Sequence, residues 1–536
     1  MKTIYHHAAV YTGQLPLVQA FIVEDGKFTF AGSNTQALAF REEGDAAVDL
    51  GGAFVCPGFI DSHMHLLNYG QSLCIAQLAN HCGSHQALLN FLWENPLGRG
   101  GWILGRGWNQ DFFSDGKTMP TRWELDTVST TRPICITRAC GHALSVNSKA
   151  LEILGITADT PQVEGGQIVM ENGVPNGVFL DNAMELVQAA IPDPGKEDLK
   201  NMLRTGCKAL NAYGITSIHS DDFALFSGVS WREVQQAYRE LEEAGELTVR
   251  VYEQSNFSDP AALREFVEAG NITGTGSQFF RIGPLKLVGD GALGARTAYL
   301  CQSYADDPET QGFPLYSQTE FDDLIGYANE SGMQVAIHAI GDACLDMVLH
   351  SIEKALEAHP RVDPRHGIVH CQITRPDQLD RISELGLHVY AQSIFLDYDS
   401  HIVEQRVGKE LAQSSYSWKT LMDKGVTVSN GSDCPVELPR ALAGIQCAVT
   451  RTDLSGSVPP YLEKEAFTVQ QALDSFTQAG AYASFEEHVK GKIQPGMLAD
   501  FVILGGNPFT TDPGRIQDIL VLATILGGKT VYQIEN

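Results

Sequence analysis

Residues 56–67, CPGFIDSHMHLL, read as an apolar run that ends on two histidines one residue apart, His63 and His65. Alternate side chains of a strand share a face, so both imidazoles project from the same side of an otherwise buried segment. A buried imidazole needs a partner, and a metal ion is the partner that takes two at once. HxH alone is a common pattern, and a lone histidine at a strand end is more often a hydrogen-bonded core residue. The reading therefore depends on what the rest of the chain brings to the same place.

Seven more segments have this strand-like character: GITSIHS (214–220), TVRVYEQS (248–255), RIGPLKLVGDG (281–291), MQVAIHAIGD (333–342), HGIVHCQ (366–372), LHVYAQSIF (387–395) and VTVSNGSDCPV (426–436). Amphipathic stretches separate several of them, among them WREVQQAYRELEEAGE (231–246) and DACLDMVLHSIEKALEAHP (342–360). Eight apolar strands alternating with helices predict an α/β fold, a (β/α)8 barrel of the TIM type. The interval 75–211 is too long for one connection and predicts an inserted lid region after the first strand, built of helical and turn segments. Residues 1–54 and 488–536 carry short strands with turn signals, including the hairpin signal EDGK (24–27). Neither end suffices for a sheet alone, so the two together predict one small β-domain, leaving 55–487 as the barrel.

The bulk numbers agree with a large enzyme-sized domain. The chain has 536 residues, more than one core can hold, and Lys plus Arg at 37 against Asp plus Glu at 65 give a net charge of −28. That charge repels phosphate backbones and anionic lipid, so the expected partner is a small molecule, with no nucleic acid and no membrane. Eleven scattered cysteines without a CxxC pair fit free thiols in a reducing compartment. With no signal-peptide h-region in MKTIYHHAAVYTG and no membrane-length apolar stretch, the expected location is cytoplasmic.

Five of the eight predicted strands end on metal-type residues: His63 and His65, Lys286, His338, His370, and Asp433. Catalytic groups of a β/α barrel come from the C-terminal ends of several strands, so the set points to a metal site far more strongly than any member does. Lys286 could simply pair with Asp290. Buried among cations, however, its ammonium form is disfavoured, and a neutral amine can take up carbon dioxide as a carbamate able to bridge two ions. Four imidazoles, a carboxylate and a carbamate suit two divalent metals, zinc best, with manganese, iron or cobalt as alternatives.

The segments PGFIDSHMHL, GHALSVNSKAL, GPLKLVGDGALGARTAYL, VAIHAIGD, RHGIVHCQ, GSDCPV and GKIQPGMLADFVIL together resemble the amidohydrolase superfamily. The similarity is to its amidohydrolase-3, or YtcJ-like, branch, which includes N-substituted formamide deformylases. This resemblance implies a distorted barrel, a β-sandwich from both termini, and a mono- or binuclear centre. By it, His63, His65 and Asp433 hold the deeper metal, His338 and His370 the outer one, and carboxylated Lys286 bridges them. Two positions depart from the branch: Cys434 stands where tryptophan is frequent, altering the pocket wall, and Val369 where glutamate is frequent.

The parts imply hydrolysis of a C–N bond in a small N-formyl or N-acyl compound by a metal-activated hydroxide, with Asp433 carrying the proton. A mononuclear deaminase, a lactone or carbamate hydrolase, and a non-catalytic barrel remain as alternatives. Trp108, with Asn109 and Gln110, His142 in CGHALSVN, and Arg296 are candidate substrate contacts. His219 reads as structural, and Asp61 as a support of the first strand. A homodimer would be common for such a barrel.

Overall fold

The run that opens the barrel is two strands rather than one. Phe54–Pro57 joins a five-stranded sheet, and β1 (Phe59–Met64) joins an eight-stranded one. The computed structural model, which describes residues 2–535, crosses between them at Gly58. A Cβ there would lie 2.3 Å from the Thr216 hydroxyl, so only glycine allows the crossing.

From β1 the barrel continues through β2 (Ile215–Ser220), β3 (Arg250–Asn256), β4 (Phe280–Val288), β5 (Val335–Ala339), β6 (Gly367–His370), β7 (His388–Ala391) and β8 (Val428–Asn430). Each pairs in parallel with the next, as helical crossovers require. The fold is a distorted TIM-like barrel with additional sheets. β1 and β8 end the ladder, and their seam closes differently. The Asp433 N–H donates to the His63 carbonyl and the His65 N–H to the Cys434 carbonyl, both at 2.8 Å. The buried Asp61 carboxylate accepts the N–H (3.0 Å) and hydroxyl (2.5 Å) of Ser432. A Cβ on Gly431 would meet the His63 nitrogen at 2.6 Å, so the seam also needs this glycine.

The crossover helices form where capping and apolar spacing agree. Ser317 and Glu320 make a reciprocal capping box on Gln318–Glu330, whose Phe321, Leu324, Ile325 and Ala328 are buried at the spacing of one helical face. The terminal strands form two facing sheets. One contains only N-terminal segments (Lys27–Gly32, Ala20–Glu24, Lys2–His6, Ala46–Asp49). The other mixes Ala9–Val10 and Phe54–Pro57 with Phe501–Leu504, Val521–Leu526 and Lys529–Gln533. Phe21, Phe28 and Phe501 interlock between them. Arg250 of β3 holds Asp500 in a buried bidentate pair at 2.7 and 3.0 Å, which ties the sandwich to the barrel.

A second compact unit comprises 67–206 and 225–241. Taken by itself, it is built on a six-stranded sheet ordered Gly166–Glu171, Val174–Asp181, Ala143–Val146, Ile134–Arg138, Ile103–Trp108, Ala76–Gln77. The expected helical segments are present as His85–Glu94, Ser148–Leu154 and Met184–Gln188, and the sheet is an element the sequence reading did not foresee. Its central strands bury both faces: Leu104 and Cys135 enter one core, Ile103, Ile134 and Ile136 the other. The alternation that marks a half-exposed strand is therefore missing from the sequence. Among the described residues no helix is long and apolar enough to cross a membrane.

Candidate metal centre

The C-terminal ends of β1, β4, β5, β6 and the turn after β8 place the six predicted residues within one compact unit. One donor atom from each of His63, His65 and Asp433 lies within 4.8 Å of the others. The Asp433 Oδ1 is 3.4 Å from Nε2 of His63 and 3.2 Å from Nε2 of His65. The His370 ring lies 5.6 Å from that of His63, and the His338 ring 4.4 Å from that of His370.

Each imidazole is held by an oxygen that fixes which nitrogen carries the proton. Gln254 uses its Nε2 to donate to the Ser62 carbonyl (3.3 Å), so its Oε1 is left to accept from Nδ1–H of His63 at 2.6 Å. Gln392 repeats the device: Nε2 donates to the Tyr390 carbonyl (3.0 Å) and Oε1 accepts from Nδ1–H of His370 at 2.7 Å. The Asp221 carbonyl takes Nδ1–H of His65 at 3.1 Å, and the Gly291 carbonyl takes Nε2–H of His338, also at 3.1 Å. The lone pair is thereby assigned to Nε2 in His63 and His370 and to Nδ1 in His338, while Nε2 of His65 hydrogen-bonds the Asp433 carboxylate at 3.2 Å.

Electrostatics match this arrangement. Burial, reinforced by the Lys286 charge, holds His63 neutral by pushing it well below its ordinary range. Burial and the charge of His338 press His370 down to about 3. Burial opposes a charge on Asp433, but the His65 hydrogen bond and the fields of His63 and His370 outweigh it and hold the carboxyl well below the carboxylate range. For His65, burial is outweighed by Asp433 and Asp221, which raise it to about 9. Neutral His63 and His370 beside an anionic carboxylate, with His65 joining them once it gives up its Nε2 proton, form a donor set that could hold a divalent cation.

The backbone is strained where the groups converge. His370 (φ 73°), Cys371 (φ 50°) and Asp433 (φ 57°) all occupy the left-handed region, at a cost of about 1–3 kcal/mol each. Trp418 donates to the His370 carbonyl at 3.1 Å, and the seam bond from Asp433 to His63 restrains the other end.

Other predicted residues stand elsewhere. Lys286, 2% exposed, faces Asp221 at 3.8 Å, not Asp290. The Asp290 carboxylate instead accepts the N–H groups of Tyr299, Ile340 and Gly341 and lies 3.3 Å from Nε2 of His338. The Arg296 guanidinium is engaged by Asp306 at 2.8 and 3.0 Å, which braces its own loop. Within the second unit, Trp108 is buried and donates to the Ile136 carbonyl, while exposed His142 contacts Asp181. His219 is buried between the rings of Tyr252 and Tyr390. Cys434 is wholly buried, and Val369 packs with Ala336, Tyr390 and Ala483. Burial raises the Asp61 carboxyl to about 7 against its hydrogen bonds from Ser432 and His63.

The sequence reading misses Gln254, Gln392, Asp221 and Asn256, which donates to the Asp221 carboxylate at 3.0 Å. The available signal is alternation: Gln254 and Asn256 share a face of β3. Replacing Gln254 or Gln392 by leucine is expected to weaken metal retention by roughly 10–100-fold, because the facing imidazole loses its fixed tautomer. Chelator competition measures this, and unchanged retention in both variants would refute the orienting role.

Comparison with known proteins agrees with this architecture. The profile Amidohydro_3, described as amidohydrolase family, matches residues 46–532. YtcJ of Bacillus subtilis (strain 168), named as a putative amidohydrolase, is 33% identical over 99% of this chain and 100% of its own. The N-substituted formamide deformylase of Arthrobacter pascens is 26% identical over 96% and 95%. The crystal structure of an uncharacterized metal-dependent hydrolase from Pyrococcus furiosus superposes with a TM-score of 0.78 at 28% identity, over 95% of this chain and 100% of that one. The chain belongs to the amidohydrolase family.

Proposed function

We propose that the chain is a metal-dependent hydrolase that cleaves an amide-type C–N bond of a small molecule, with an N-formyl or N-acyl amine as the leading substrate class. The observation that carries this reading is the convergence at the strand ends of four imidazoles, each oriented by an oxygen, with His63 and His65 beside anionic Asp433 at 3.4 and 3.2 Å. The likeness to the deformylase supports the bond type. His63, His65 and Asp433 would hold one cation, His338 and His370 a second, and Lys286, as its carbamate, would join them. A divalent cation in such a set, zinc foremost, supplies Lewis acidity and makes bound water a nucleophile at neutral pH.

The chain's own groups do the rest. Asp433, anionic and within 3.4 Å of two imidazole nitrogens, accepts the proton of the attacking water and returns it to the departing nitrogen. The amide and one water become a carboxylic acid and an amine. Gln254, Gln392 and the Asp221 and Gly291 carbonyls keep the imidazoles from turning during the cycle. The charge of −28 and the eleven free thiols support a small-molecule enzyme of the cytoplasm.

One observation favours a second reading. Among the described residues, only His63, His65 and Asp433 bring their donors within 4.8 Å of one another at this centre, and Lys286 pairs with Asp221. That suits a single cation, as in a deaminase. The test is metal content per chain after chelation and reloading with zinc, manganese, iron or cobalt, followed by assay on N-formyl, N-acyl and cyclic amides, aminated heterocycles and lactones. Two equivalents and amine release from a formamide or amide are expected. One equivalent with ammonia release supports the deaminase, and a reloaded protein inert on the whole panel would overturn the hydrolytic reading.

A further inference from the structure

We propose a second, surface metal site on the terminal sandwich, formed by His6, His7 and Asp49. One donor atom from each of the three lies within 4.8 Å of the other two. The Nδ1 of His7 lies 3.2 Å from Nδ1 of His6 and 2.8 Å from Oδ2 of Asp49. Donors around a tetrahedral zinc-type ion stand about 3.3 Å apart, as metal–ligand bonds of about 2.0–2.2 Å dictate. The spacing therefore suits such an ion without large rearrangement.

The arrangement also answers a hydrogen-bonding conflict. The His7 Nδ1 has one in-plane position, either a proton or a lone pair. It faces both a carboxylate oxygen and a second imidazole nitrogen, and a single N–H serves only one of them well. A cation between the three takes a lone pair from each.

The backbone holds the pair ready. His7 sits at φ 53°, in the left-handed region that histidine rarely occupies. Its N–H donates to the Asn34 side chain at 2.8 Å, and its carbonyl accepts from Gly52 N–H at 2.6 Å. The His6 carbonyl accepts from Leu50 N–H at 2.9 Å. The donors thus come from the paired ends of Lys2–His6 and Ala46–Asp49, where His6 stands opposite Asp49. The His7 and Asp49 side chains are 53% and 57% exposed, so water completes the coordination and the ion enters without the barrel opening. Two imidazoles and a carboxylate select zinc, cobalt, nickel or copper over magnesium or calcium.

The site is separate from the barrel centre, and its test leaves that centre intact. Protein already loaded at the barrel is titrated with zinc by calorimetry, beside His6→Gln, His7→Asn and Asp49→Asn. Asparagine tolerates the left-handed backbone, so His7→Asn keeps the fold. Wild type is expected to bind one further equivalent, with a zinc-dependent rise in melting temperature. His6→Gln and His7→Asn lose both, and Asp49→Asn binds at least about tenfold more weakly, while hydrolysis stays at the wild-type rate. A wild type without the extra equivalent, or variants that all retain it, overturns the proposal.

Discussion

The substitution Asp433→Asn is expected to lower kcat/KM by at least about a thousandfold while the protein stays folded. General acid–base transfer alone is worth about 10²–10⁴, and the same carboxylate faces His63 and His65 at 3.4 and 3.2 Å. Asparagine matches the side chain in size and accepts the left-handed backbone found there (φ 57°). The seam bond from the residue 433 N–H to the His63 carbonyl, and the bond from Val436 N–H to the residue 433 carbonyl, are main-chain and survive. What disappears is the charge, which lies below the carboxylate range in spite of burial because of the His65 hydrogen bond and the fields of His63 and His370. The expected signature is a collapse of kcat, lower metal content, and a melting temperature within a few degrees of wild type. If Asp433→Asn retains more than about a tenth of the wild-type rate with full metal content, the proton passes through another group.

How far this site could be read from sequence follows from burial and direction. β1 shows itself because a fully buried run ending in HxH has few structural explanations, and β5 and β6 each carry a histidine at the strand end for the same reason. Asp433 is legible as the carboxylate that ends the eighth predicted strand, and the structure shows why a glycine stands two residues before it: a Cβ on Gly431 would lie 2.6 Å from the His63 nitrogen. The orienting groups are not legible. Gln254 and Gln392 look like any polar residue on a strand, and only the amide's second hydrogen bond shows which way each points. Asp221 acts partly through its carbonyl, which carries no side-chain signature. The pairing of Lys286 with Asp221, which follows β2 two strands away, in place of Asp290 is a matter of tertiary packing, since Asp290 is drawn away by the N–H groups of Tyr299, Ile340 and Gly341. Arg296 and Trp108 suggest substrate contacts because both stand beside loop motifs. In the structure Asp306 occupies the first and a core surrounds the second.

Lys286→Ala decides between the two readings of the centre, and the binuclear reading expects it to lose one equivalent of metal and at least about a hundredfold in rate. A bridging anion neutralises repulsion between two cations only a few ångströms apart, and without it the second ion has no shared ligand. The lysine is 2% exposed and makes its ion pair with Asp221 at 3.8 Å, so truncation also opens a polar space about the size of a short carboxylic acid. Formate, acetate or propionate added to the variant should enter that space, restore the second equivalent and recover part of the rate. Lys286→Met fills the space without supplying an anion and should show no recovery. The single-cation reading predicts the opposite pattern: wild type and Lys286→Ala both hold one equivalent, added carboxylates change nothing, and Lys286→Ala and Asp221→Asn each lose less than about tenfold in rate, because the lysine serves only to balance that carboxylate. A Lys286→Ala protein with full metal content and full rate would remove the lysine from the chemistry altogether, leaving His63, His65 and Asp433 as the functional core.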